Sequence, residues 1–146
     1  MSRASATAAI RRPIGEVFAV LTDVEQTRRW FPGDVEEHWT SQPPHGLGST
    51  RHAIVRALGR TTENDAVVTA FDPPSVAAMR GTTPGAGFEA TLRFSEANGV
   101  TRVDVVIDLP ASGAMRLVMP AFAHWYGGQW RRGLVTLTRL MESGEL

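Results

Sequence analysis

The sequence predicts an α+β fold: a curved antiparallel sheet of about seven strands around one long C-terminal helix, with two short helices after the first strand. Three observations carry this. Residues 114–141 hold a sustained helical pattern, with Met115, Met119, Phe122, Tyr126, Trp130, Leu134, Leu137 and Met141 on one side of a helical wheel. Phe88, Ala90, Leu92 and Phe94 alternate with Glu89, Thr91, Arg93 and Ser95, the period of a strand with one covered face. Between about residue 33 and about residue 110 no helical period survives, so the apolar strand faces have only the terminal helix as a large cover.

The elements follow in order. Residues 4–10 form a small-residue strand, and Pro13 suits the first position of a helix whose apolar stripe is Val17, Phe18, Val20 and Leu21. Asp23 and Gln26 resemble a capping box that opens a second short helix. That helix ends at Trp30-Phe31, where Pro32-Gly33 stops it. Strands are expected at 35–40, at 49–58 and 60–71 joined tightly at Gly59, and at 76–80 after the Asp72-Pro73-Pro74 turn. Asn98-Gly99 is a hairpin signal leading to a strand that buries Val103, Val105, Ile107 and Leu109. Pro120 predicts a kink or break near the start of the last helix.

That helix carries an unusual load. It holds Tyr126, the only tyrosine, with Trp125 and Trp130, and beside them Gly127, Gly128 and Gly133. A glycine inside a helix costs roughly 0.5–1 kcal/mol against alanine. Bulky rings beside bare backbone describe a helix that packs and also leaves room, as one wall of an internal cavity would.

Composition narrows the chemistry. The 146 residues suit one domain, 1–146, with a sizeable core. Net charge is zero, all fifteen basic residues are arginine, and cysteine is absent. These facts leave no lysine for Schiff-base or P-loop chemistry, no thiol nucleophile and no thiolate metal site. His38, His45, His52 and His124 lack close ligand spacing, so no metal and no other cofactor is expected. No segment approaches about 18 consecutive apolar residues, so a cytoplasmic protein without membrane insertion is expected. The pairs Arg11-Arg12, Arg28-Arg29 and Arg131-Arg132 read as solvated surface, which argues against a nucleic-acid partner. Gly85-Ala86-Gly87-Phe88-Glu89-Ala90 matches a loose dinucleotide fingerprint but opens a strand rather than a helix, and reads as a turn.

A family resemblance emerges from residues spread along the chain. They are Ile10-Arg11-Arg12-Pro13 with Glu16-Val17-Phe18, Asp23, Trp30-Phe31-Pro32-Gly33, Gly48-Ser49, Leu58-Gly59-Arg60, Val67, Phe71-Asp72-Pro73-Pro74, and Leu134, Leu137, Met141 and Glu142. Their order resembles the START-like, or SRPBCC, superfamily with its helix-grip fold, and most of all its polyketide cyclase/dehydrase-like branch, which also resembles birch pollen allergen. The resemblance implies a cavity between sheet and terminal helix for small, largely apolar molecules. Cyclases, aromatases, lipid carriers and receptors share the superfamily, so the fold alone selects no activity.

The candidate site residues each carry two readings. Tyr126 belongs to the packing face, where its hydroxyl orients a ligand or donates a proton, or else bonds to backbone in the core. Arg51 and His52 occupy opposite faces of one strand, and whichever points inward is the notable polar group of the cavity. Tyr126, His52 and Arg51 are therefore the catalytic candidates. Trp30 and Phe31 contact ligand at the cavity mouth or plug the core. Trp39, Phe88, Phe122 and Trp130 join Tyr126 as wall residues, whereas His124 turns away.

Three functions follow. The leading one is binding of a small hydrophobic, aromatic-polyketide-like or lipid-like ligand. The second is a cofactor-free cyclase, aromatase or dehydratase working by acid–base chemistry and positioning. The third is a regulatory partner-binding module, with a homodimer among its forms.

Overall fold

The computed structural model describes residues 2–57, 59–83 and 86–146. Strand β1 (Ser2–Ile10) leads to helix α1 (Ile14–Thr22), a 3-10 turn (Val24–Gln26) and helix α2 (Thr27–Trp30). Strands β2 (Asp34–Trp39), β3 (Thr50–Ala57), β4 (Arg60–Asp72), β5 (Val76–Thr83), β6 (Ala86–Ala97) and β7 (Val100–Leu109) precede helix α3 (Met115–Glu142). The strands form a seven-stranded sheet in the order β1-β7-β6-β5-β4-β3-β2, with every neighbouring pair antiparallel. This is the expected architecture. Leu58 and Gly85, assigned above to a strand and a turn, lie outside the described residues.

Local chemistry explains the joints. Asn98 and Gly99 both take positive φ, 55° and 78°, as a tight turn between twisted strands requires. Pro13 caps α1 rather than opening it, and Val17, Phe18 and Leu21 are buried from that helix. The capping box forms by half. Asp23 accepts from the Glu25 amide at 3.1 Å, but Gln26 accepts from Arg29 instead of reaching back. The turn so started is 3-10, and α2 follows it.

Helix α3 closes the core over the sheet. Leu134, Leu137 and Met141 join Ile10, Val17, Val103, Val105 and Ile107 in its most enclosed part. The wheel needs correction in the helix's first half. Met119, Ala123 and Gly127 are buried there, whereas Met115 and Phe122 are 38% and 43% exposed. The cause is close approach: a Cβ on Gly127 would stand 3.7 Å from the Ala4 Cβ. The small-residue face lies on β1, and the bulky side chains flank it. Nor does Pro120 break the helix, which runs through it. Pro120 and Arg116 are both exposed, so water solvates the carbonyl that loses its amide partner. Among the described residues no helix is long and apolar enough to cross a membrane.

Candidate functional site

Strand parity places the polar groups. In the β2–β3 ladder Trp39 pairs with Arg51, Glu37 with Ala53 and Val35 with Val55. Side chains alternate across a sheet, so these six share the face turned towards α3. Glu36, His38, His52 and Arg56 take the opposite face. The open question about β3 therefore resolves in favour of Arg51, which is only 6% exposed.

Arg51 joins a compact polar cluster. Its Nε lies 3.0 Å from Glu37 Oε2 in an ion pair. The Nε–H is not aimed at that oxygen, however, and makes no hydrogen bond. Arg51 Nη1 donates to the Asn64 backbone carbonyl at 3.3 Å and to Asn64 Oδ1. The guanidinium carbon stands 5.6 Å from the Phe88 ring centroid, within cation–π range. Burial raises the Glu37 carboxyl above the usual carboxylate range, against opposing pulls from Arg51 and from the Thr27 hydroxyl of α2.

Aromatic rings from the end of α2 and from α3 pack together. Trp30 is 3% exposed and meets Trp130 at 5.5 Å between centroids and Phe31 at 5.8 Å. Phe31 meets Trp130 at 5.3 Å and Tyr126 at 6.2 Å. Gly133 makes this packing possible, since a Cβ there would lie 3.2 Å from both the Trp30 ring and Pro32 Cδ. The Tyr126 phenol is pushed up by burial and further by the Glu37 charge, with Trp130 and Arg51 pulling the other way. Trp130 Nε1 nevertheless makes no hydrogen bond, so it approaches the phenol off the bonding line.

Other candidates sit elsewhere. His52 is on the far face, with Nδ1 2.8 Å from Asp65 and Nε2 3.0 Å from Glu63. Those hydrogen bonds raise its pKa, Asp65 most. Phe122 stacks on Tyr126 at 5.5 Å from the exposed side of α3. Trp39 stacks on His45 at 4.2 Å and lines an open depression of about 550 Å³ with Phe18 and Phe71. A second depression, about 560 Å³, lies over the far face of the sheet beside Asp65, Arg80, Glu89 and Asp108. Neither is lined by a residue of α3.

Sequence reasoning missed Glu37, Asn64 and Thr27. A signal for Glu37 existed: Val35, Glu37 and Trp39 alternate, so a carboxylate shares its strand face with two apolar residues. Asn64 had none, because only the β3–β4 register sets it beside Ala53, next to Arg51.

A family model described as polyketide cyclase / dehydrase and lipid transport matches residues 1–142. No curated protein matches the chain. Among solved structures, the Zhui aromatase/cyclase from Streptomyces sp. R1128 is similar at TM-score 0.73 and 16% identity, over 94% of this chain and 93% of that one. The di-domain ARO/CYC BexL from the BE-7585A biosynthetic pathway is similar at 0.76 and 16%, over 97% of this chain but 47% of its own. Ara h 8.0201 is similar at 0.65 and 12%, over 93% and 97%. At these identities the likeness is one of fold, the helix grip.

Proposed function

The chain belongs to the polyketide cyclase / dehydrase and lipid transport family, and from that premise we propose that its one domain binds a small, largely apolar ligand between the sheet and α3. One observation carries this reading: the ion pair of Arg51 and Glu37, with side chains only 7% and 14% exposed, sits on the sheet face turned towards α3 with the Phe88 ring beside it. A buried ion pair often contributes less than well-packed hydrophobic side chains of the same volume. Binding pockets, by contrast, combine apolar walls with a few placed polar groups. Arg51 and Tyr126 are the polar contacts, and Trp30, Phe31, Phe88 and Trp130 the walls. The rings touch one another, so a ligand enters as they part. The start of α3, with Met115, Leu117 and Val118 exposed, is the less anchored wall.

Native mass spectrometry of the purified protein tests this. A bound small molecule, or uptake of an aromatic probe that Trp130→Ala weakens by tenfold or more, is the expected result. Failure of every aromatic and lipid probe to bind refutes it.

A second reading, a cyclase or dehydratase, draws on the Tyr126 phenol lying within electrostatic reach of Glu37 and Arg51. It requires that Tyr126→Phe or Arg51→Met lower turnover of an identified substrate, and unchanged turnover in both would remove it. The regulatory reading needs an exposed apolar surface; Trp30 is buried, and Met115, Leu117 and Val118 at the start of α3 are exposed.

A further inference from the structure

The buried polar atoms of this site are unbalanced. Among the described residues three buried side-chain polar atoms have no hydrogen-bond partner: Trp30 Nε1, Trp130 Nε1 and Arg51 Nε. All three are N–H donors, and no buried acceptor is left over with them. Unmade donors in an apolar interior are costly, so they define what a ligand must bring, namely acceptor oxygens. The Trp30 and Trp130 rings are in contact, and Tyr126, one helical turn from Trp130, is electrostatically coupled to Arg51 and Glu37. Trp30 and Trp130 thus offer neighbouring indoles, and Arg51 offers its Nε beside Phe88 on the sheet face turned towards α3.

Charge narrows the ligand further. Arg51 commits Nη1 to Asn64 and leaves its Nε edge only loosely engaged by Glu37. Glu37 is faced by Arg51 from β3, by the Thr27 hydroxyl from α2 and by Tyr126 from α3. Another carboxylate on a packed element, Glu25 of the 3-10 turn, accepts from the Trp39 amide at 3.4 Å. Glu36 and His38 of β2 itself point to the far face. Among the described residues Arg51 is thus the one cation acting on Glu37, and a second anion drawn to Arg51 would compete with it.

We propose that the site receives an aromatic organic acid, whose carboxylate or phenolate oxygen displaces Glu37 from Arg51 while Glu37 takes up a proton from solvent. This rests on the ligand-binding reading above. The indole donors hold a second oxygen of the same ligand, and Phe31, Phe88 and Tyr126 enclose its rings. Burial already favours protonated Glu37, and an incoming anion favours it further.

The test is the affinity of 1-naphthoate and of its uncharged analogue 1-naphthamide from about pH 5.5 to about pH 8.5, where the probe carboxylate stays ionised. Isothermal titration in buffers of different ionisation heat counts the protons taken up. Naphthoate is expected to tighten as pH falls, approaching about tenfold per pH unit with about one proton bound per ligand. Naphthamide is expected to show no pH dependence. Glu37→Gln should abolish the naphthoate dependence and tighten its binding at high pH, while His52→Gln, on the far face, should leave that dependence intact. Naphthoate binding without pH dependence in the unmodified protein, or naphthamide binding as tightly at every pH, overturns the proposal but leaves the ligand-binding reading standing. Binding of neither probe overturns the proposal, and the ligand-binding reading falls with it only when every other aromatic and lipid probe also fails to bind.

Discussion

Arg51 and His52 are consecutive residues of β3, Arg51 paired with one carboxylate and His52 with two, yet they occupy different physical worlds. Arg51 faces α3 in an interior where Glu37 keeps its proton beyond the usual carboxylate range because burial outweighs the guanidinium's attraction. His52 is bonded to Asp65 and Glu63, whose side chains are 75% and 60% exposed. Water screens that second cluster, so its ion pairs add little to stability. One residue step across a pleated sheet thus separates a cluster under electrostatic tension from one at ease. The tension is what a ligand can relieve.

The largest test of this contrast is Arg51→Met. Breaking a buried pair from one side is expected to cost about 3–5 kcal/mol at about pH 8, measured by urea unfolding. The deficit should shrink towards about pH 5. Glu37, its pKa raised further without Arg51, is then neutral in the folded state and needs no counter-charge. A deficit that stays constant or grows as pH falls would show that Glu37 is not the group left unpaired.

An intermediate test uses two glycines of α3. Gly133→Val drives side-chain atoms into Trp30 and Pro32, which are 3.2 Å from a Cβ at that position, and should destabilise by about 1–3 kcal/mol. At Gly128 the nearest atom is the tip of the flexible Arg131 side chain at 4.0 Å, so Gly128→Ala should stabilise by about 0.5–1 kcal/mol. Thermal unfolding of the two variants measures both. A stabilising Gly133→Val would mean that the ring cluster is loosely packed.

The smallest effect is expected from His52→Gln. Hydrogen bonds donated to Asp65 and then to Glu63 raise the His52 pKa, so its contribution is complete below the usual histidine range and fades as pH climbs through the raised value. The variant should match the parent's melting temperature at alkaline pH and fall slightly below it in acid. A large loss at every pH would mean that His52 holds the sheet by packing.

Much of the fold was legible because its signals are local. The Phe88–Phe94 alternation, the Asn98-Gly99 turn and the apolar face of the last helix each need only a short stretch of chain. The wheel failed at Phe122 and Met115 because it assumes the bulkiest face is the buried one. Contact between Ala4 and Gly127 turned the small face inward instead. Pro120 misled similarly, since its penalty falls on a carbonyl that water can solvate. At the site, Tyr126, Trp30, Phe31, Phe88 and Trp130 were visible as residue types at packing positions. Glu37 and Asn64 were not singled out, because a single acid or amide in a strand reads as surface until its parity is known.

By itself the sequence determined the order and kind of elements, the one helix able to cover the sheet, and the absence of thiol and lysine chemistry. All of these follow from periodicity and composition, which are properties of neighbouring residues. The inward turn of Arg51 rather than His52, its pairing with Glu37 and the three unpaired N–H donors were decided by the tertiary structure alone. The sign of a strand's face is set by register against strands distant in sequence, and a hydrogen bond is missing only once everything around it has been placed.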